Sequence, residues 1–125
     1  LKLTNNSSYN YSSVKQNDTE FTPILTPEII INQEISFSIK NVTLNLSARY
    51  QSDSYMNFEN SESLADYFLL NARIDYKYGN YFTSLFLNNV TDIHYFNNGE
   101  VNSEGLRSYW VQPPRNFFIS VGCNF

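Results

Sequence analysis

Phe68-Leu69-Leu70-Asn71-Ala72-Arg73-Ile74-Asp75-Tyr76-Lys77-Tyr78-Gly79-Asn80-Tyr81 is the stretch on which the fold turns. Phe68, Leu70, Ala72, Ile74, Tyr76 and Tyr78 fall at spacing two and share one face, with Asn71, Arg73, Asp75 and Lys77 on the other, which is the period of a strand and not of a helix. Gly79-Asn80 supplies a two-residue turn, after which Tyr81, Thr83, Leu85 and Leu87 continue the apolar side. Upstream the pattern repeats. Ile29, Ile31, Ile35, Phe37 and Ile39 oppose Asn32, Glu34, Ser36 and Ser38. Lys40-Asn41 turns the chain, and Val42, Leu44, Leu46, Ala48 and Tyr50 then oppose Thr43, Asn45, Ser47 and Arg49. Downstream, Arg115 to Phe125 reads as a last strand with Phe117, Ile119, Val121, Cys123 and Phe125 on its apolar parity. Tyr9, Tyr11 and Ser13 suggest one more strand near the start, and Lys15 to Pro27, with two prolines, reads as irregular. The expected architecture is all-β: an antiparallel up-and-down meander of about five to six strands.

Composition narrows the class. With 125 residues there is room for one domain or a piece of a larger one. Ten Tyr, ten Phe and one Trp argue against disorder. No apolar run approaches the length of about 18 residues that a membrane helix needs. A lone Cys123 excludes an internal disulfide and a thiolate metal cage. Eight scattered Lys and Arg in a chain of net charge −4 lack the basic stripe of a nucleic-acid binder. The start, Leu1-Lys2-Leu3-Thr4, carries no initiating Met or signal sequence and reads like the middle of a strand, so the chain is expected to be a fragment.

Alternation alone leaves the solvent open, because a soluble sandwich also has one apolar face per strand. Three further features favour a membrane barrel. Very short connections (Lys40-Asn41, Gly79-Asn80) alternate with long ones (Phe58 to Asp66, Asn97 to Pro114), as in outer-membrane barrels. Glu34, Arg49, Arg73, Asp75 and Lys77 all fall on the polar parity, which both media demand. Aromatics gather at strand ends on the apolar parity: Phe37, Tyr76, Tyr78, Tyr81 and Phe125 toward the short turns, Tyr50, Phe68 and Phe117 toward the long loops. Two rows of rings separated by aliphatic residues match the interfacial girdles of a barrel.

Specific segments carry a family resemblance. Arg115 to Phe125, ending in Phe, resembles the terminal strand that the barrel assembly machinery reads. Leu87-Asn88-Asn89-Val90-Thr91-Asp92-Ile93-His94-Tyr95 resembles the N-N-[LV]-T/F-D-x-x-Y segment in the penultimate strand of TonB-dependent outer-membrane receptors. Phe21-Thr22-Pro23 with Pro27-Glu28 resembles that family's entry to a strand, and Ala48-Arg49-Tyr50-Gln51-Ser52 with Tyr55 the end of the next. The resemblance implies that residues 1–125 are the C-terminal portion of a receptor barrel of about 22 strands in a Gram-negative outer membrane, with the plug and earlier strands absent. It implies transport of a scarce solute (a siderophore, cobalamin or a glycan) rather than enzymatic catalysis. Its partners would be outer-membrane lipid, the plug and remaining strands, the TonB complex through the absent N-terminal part, and the assembly machinery. Cys123 departs from the aromatic or aliphatic residue more usual at its position.

Candidate site residues are few. Phe117, Ile119, Val121 and Phe125 form the expected barrel-assembly signal, and Tyr109-Trp110 in the last long loop is a candidate either for stacking on a ligand or sugar or for an interfacial anchor. His94 lacks partners at metal-ligand spacing. Arg73, Asp75 and Lys77 are expected to pair and brace a lumenal wall. Asn-x-Ser/Thr triplets such as Asn41-Val42-Thr43 lie in strands or tight turns and read as chance. No catalytic set, metal site or cofactor loop is discernible. A small soluble sandwich or barrel that binds a ligand, or another class of outer-membrane barrel, is the alternative. The membrane reading adds one geometric expectation: six strands of so wide a barrel form an open, twisted sheet with two free edges.

Overall fold

The computed structural model describes residues 1–125. Its strands, in chain order, are β1 (Lys2–Tyr9), β2 (Val14–Gln16), β3 (Thr19–Phe21), β4 (Ile29–Ile39), β5 (Val42–Gln51), β6 (Ser54–Tyr55), β7 (Ser63–Leu64), β8 (Tyr67–Tyr78), β9 (Tyr81–Asn88), β10 (Phe96–Val101), β11 (Arg107–Val111) and β12 (Asn116–Cys123), and there is no helix. The long strands form one six-stranded sheet in the order β1-β4-β5-β8-β9-β12, each neighbouring pair antiparallel. The sheet is open, with β1 and β12 as free edges. The short strands pair as hairpins β2–β3, β6–β7 and β10–β11, one inside each long connection, so all three lie at the same end of the sheet. At the opposite end two tight turns suffice, with Lys40 at φ +50° and Gly79 at φ +56°. Glycine adopts that left-handed conformation freely, whereas a lysine does so against a steric penalty.

Register keeps every apolar parity on one side. Ile35 stands opposite Leu46, Leu46 opposite Ala72, Ala72 opposite Leu87 and Leu87 opposite Phe117, a row crossing five strands. A one-residue slip anywhere would turn a strand's apolar set to the wrong face. Nothing in the chain covers this surface: Phe37, Phe117 and Val121 are 49%, 72% and 73% exposed. The only buried apolar residues, Met56, Leu64 and Tyr67, lie at the loop end. The sheet thus has no core of its own and must find its apolar environment outside. β8, with 12 residues, extends about 40 Å at about 3.3 Å per residue, and a tilt of about 40° reduces this to about 30 Å, the depth of a bilayer's hydrocarbon.

Several boundaries differ from the sequence expectation. The first strand is Lys2–Tyr9, leaving Tyr11 and Ser13 outside it. Lys15 to Pro27 is not wholly irregular, because β2 and β3 pair there. Phe58 to Asp66 and Asn97 to Pro114 read as polar loops, yet their flanks pair as β6–β7 and β10–β11. The last strand ends at Cys123, so Phe125 lies two residues beyond it and is fully exposed.

Candidate functional site

The polar face of the sheet is held by a belt of side chains running across the strands. Asp75 is its hub: Oδ1 accepts from Arg73 Nε (2.7 Å) and Ser84 Oγ (2.6 Å), and Oδ2 accepts from Asn45 Nδ2 (3.0 Å). Asn45 Oδ1 in turn accepts from Ser36 Oγ (2.6 Å), so the belt joins β4, β5, β8 and β9. The Arg73 guanidinium lies over the Phe86 ring (4.8 Å to its centroid), and Phe86 stacks on Phe118 of β12 (4.2 Å, 12° between planes). Nearer the loops, Arg49 donates to Asn32 Oδ1 (3.0 Å), Gln51 Oε1 (2.9 Å) and the Tyr67 hydroxyl (3.4 Å), and that hydroxyl donates to Gln51 Oε1 (3.1 Å). Arg73 and Asp75 therefore pair as expected, whereas Lys77 forms no ion pair.

The aromatics on this face were not anticipated. Phe82, Phe86 and Phe118 occupy polar-parity positions, and strict alternation gives no reason for them. The far end of the Phe82 ring lies against Gly122, where a Cβ would run into it. Gly122 is therefore a matter of space, and the Phe82–Gly122 contact seats β12 on β9.

At the loop end the three hairpins lock together. Asn60, at φ +53°, clamps the β2–β3 segment: its Oδ1 accepts the Thr22 N–H (2.7 Å) and its Nδ2 donates to the Thr22 carbonyl (2.9 Å). Phe21 meets Phe58 edge-on at 5.7 Å. Between the other two hairpins, Arg107 pairs with Glu62 (2.7 Å), and this carboxylate raises the guanidinium's pKa further above its already high value. Gly99 packs where a side chain would strike Met56 and Leu64, the small buried core of the rim. Tyr95 leans on Tyr67 at 4.7 Å. Burial, with a smaller contribution from Tyr67, pushes the Tyr95 phenol up against the opposing effect of Arg49.

The Asn89-Val90-Thr91-Asp92 segment is a latch beyond the end of β9 and not part of a strand. Asn89, buried and at φ +50°, accepts the Ile93 N–H (3.0 Å) and donates to the carbonyls of Ile93 (2.9 Å) and Pro113 (3.4 Å), while its own N–H donates to Asn71 Oδ1 (2.9 Å). Asp92 accepts the Arg115 N–H (2.9 Å) and pairs with its guanidinium (3.5 Å), fixing the entry to β12. Tyr109 and Trp110 lie on β11, Tyr109 against Phe96 (4.9 Å) and Trp110 about half exposed. His94 is exposed. Phe117, Ile119 and Val121 project from the apolar face of β12 and, like Phe125, stand open.

One apolar face with aromatic ends, one polar face braced by hydrogen bonds, tight turns at one end and interlocked hairpins at the other define the class: a segment of transmembrane β-barrel wall. Solved structures carry the assignment to a family fold. The chain is similar to the siderophore receptor PiuA from Acinetobacter baumannii over 95% of its own length and 19% of that chain, with 14% identity and a TM-score of 0.77. It is similar to the ferric citrate transporter FecA over 78% and 16% (17% identity, TM-score 0.70). It is also similar to the ferripyoverdine receptor of the outer membrane of Pseudomonas aeruginosa over 76% and 14% (26% identity, TM-score 0.58). The fold is that of the TonB-dependent outer-membrane receptor barrels that the sequence resembles, and the chain spans less than a fifth of each of these structures. No protein family's sequence pattern matches the chain, and no curated protein matches it.

Proposed function

We propose that residues 1–125 are the C-terminal portion of an outer-membrane receptor and supply barrel wall and external loops for TonB-coupled uptake of a scarce solute. The observation that carries this reading is the uncovered apolar face, on a sheet shaped like part of the wall in those receptors. The backbone groups of the wall are paired strand to strand, its apolar parity meets acyl chains, and its polar parity faces the lumen and the plug. Phe117, Ile119, Val121 and Phe125 form the signal for the assembly machinery. Tyr109 and Trp110, raised on the rim, contact the arriving solute. Because the similar structures are receptors and transporters of iron chelates, a ferric siderophore stands ahead of cobalamin or a glycan.

The test is made on the gene that encodes this chain. Its reading frame upstream of Leu1 is expected to encode a plug and a TonB-contacting segment, its product to fractionate with the outer membrane, and its deletion to abolish protonophore-sensitive uptake of a radiolabelled ferric siderophore. A product in the soluble fraction would overturn the membrane reading. Unchanged uptake of every ferric chelate tried would remove the siderophore assignment.

A further inference from the structure

The hairpins at the loop end are too short to hold themselves. β2–β3 pairs three residues with three and β6–β7 two with two, and an isolated two-stranded hairpin is marginally stable at best in water. The middle hairpin supplies the order. Its own turn is closed from within: the Met56 N–H donates to the Glu62 carbonyl (2.8 Å), and Asn57 Oδ1 accepts the N–H groups of Ser61 and Glu62 (both 3.1 Å). It then grips both neighbours. Toward β2–β3, the Tyr55 carbonyl accepts the Leu25 N–H (2.8 Å), the Asn60 amide holds both backbone groups of Thr22, and Phe58 meets Phe21. Toward β10–β11, the buried Met56 and Leu64 lie against Gly99, and the Glu62 carboxylate pairs with Arg107.

No hairpin can swing away alone without breaking one of these joints. Parting β10–β11 from β6–β7 uncovers Met56 and Leu64 to water, and parting β2–β3 from it leaves the Thr22 backbone groups without the Asn60 amide. The base of the group is tied to the wall, where Tyr95 rests on Tyr67 and the Asn89 N–H donates to Asn71 Oδ1. Elements joined in this way open together as a cooperative unit. We propose that the three hairpins form one rigid body keyed on β6–β7, so that they do not fold over the barrel mouth one at a time and the β11 residues Tyr109 and Trp110 are held in a preset position. That this position serves an arriving solute rests on the reading in the preceding subsection, whereas the rigidity rests on the contacts alone.

Dipolar distances between paired nitroxides, in the full receptor reconstituted in liposomes, test this, with Cys123→Ser and every other thiol removed. The labels replace Lys15, Ser63 and Glu104, which are exposed and lie one on each hairpin. The Lys15–Ser63 and Ser63–Glu104 pairs are each expected to give a single narrow distance. Gly99→Val, whose added side chain displaces Met56 and Leu64, is expected to broaden Ser63–Glu104 and leave Lys15–Ser63 narrow. Phe58→Ala/Asn60→Asp removes the ring contact and sets an oxygen against the Thr22 carbonyl, while keeping at position 60 a residue that tolerates positive φ, and is expected to do the reverse. Both variants are scored as folded protein by heat-modifiable migration. Broad or multiple distances in the parent overturn the single body. Narrow distances that survive both variants overturn the keystone role of β6–β7. A nitroxide at Leu85, outward on β9, reports the wall separately: collision there with a water-soluble nickel chelate in preference to oxygen overturns the membrane reading, while the distances decide the rigid body on their own.

Discussion

Leu46→Lys compared with Ser47→Lys separates the two faces by a single residue. Leu46 lies midway between Val42 and Tyr50 on the outward face, between Ile35 and Ala72, at the centre of the band bounded by the two rows of rings. A lysine at a bilayer midplane costs about 2–4 kcal/mol, which is a loss of roughly 30- to 1000-fold in the folding equilibrium at about 1.4 kcal/mol per factor of ten. Ser47 faces the lumen opposite Glu34. A lysine there meets water and a carboxylate, and its effect is expected to stay within about 1 kcal/mol. The assay is folding of the intact receptor into liposomes, scored by heat-modifiable migration and by urea titration. Equal behaviour of the two variants, or a greater loss in Ser47→Lys, would refute the assignment of faces.

Other expectations follow from the latch and the strand contacts. Asn89→Ala leaves the Ile93 N–H and the Pro113 carbonyl without their partner and is expected to cost about 1–3 kcal/mol, read as faster hydrogen exchange at Ile93. Gly122→Val is expected to destabilise by about 1–3 kcal/mol through its collision with Phe82, and adding Phe82→Ala should recover most of that loss in a double-mutant cycle. Because the Tyr95 pKa is raised in the folded chain, its contribution to rim stability is present below the unfolded tyrosine value of about 10 and is lost as pH rises through the folded value. The wild type minus Tyr95→Phe difference in absorbance near 295 nm should therefore titrate later in the folded receptor than in the denatured one.

The long strands were legible in the sequence because a face in lipid tolerates few exceptions. Between Val42 and Tyr50, and between Phe68 and Tyr78, the outward parity is unbroken, and the tight turns between strands leave no freedom of register. The hairpins β2–β3, β6–β7 and β10–β11 escaped notice because they project beyond the membrane and need no alternation. Asn60 and Asn102 shape them through side-chain bonds to the backbone, as when Asn102 Oδ1 accepts the N–H groups of Glu104 (3.0 Å) and Leu106 (2.9 Å). An asparagine in a loop carries no such message until its partners are known. Phe82, Phe86 and Phe118 were missed for a related reason. The lumenal face need only be compatible with water, so rings that stack on one another or under Arg73 are tolerated there. The Asn89 latch was visible as a motif, but its role was not, because it depends on Asn71, Pro113 and Arg115 arriving from other elements.

The most direct test of the whole account is a spin-label scan of β5, residue by residue from Val42 to Gln51, in the receptor reconstituted in lipid with Cys123→Ser. Collision with oxygen is expected to peak at Leu44, Leu46 and Ala48, and collision with a water-soluble nickel chelate at Thr43, Asn45 and Ser47, the two profiles running out of phase with period two. Nickel contact at Leu46 equal to that at Ser47, or the absence of a period-two oscillation, would contradict it.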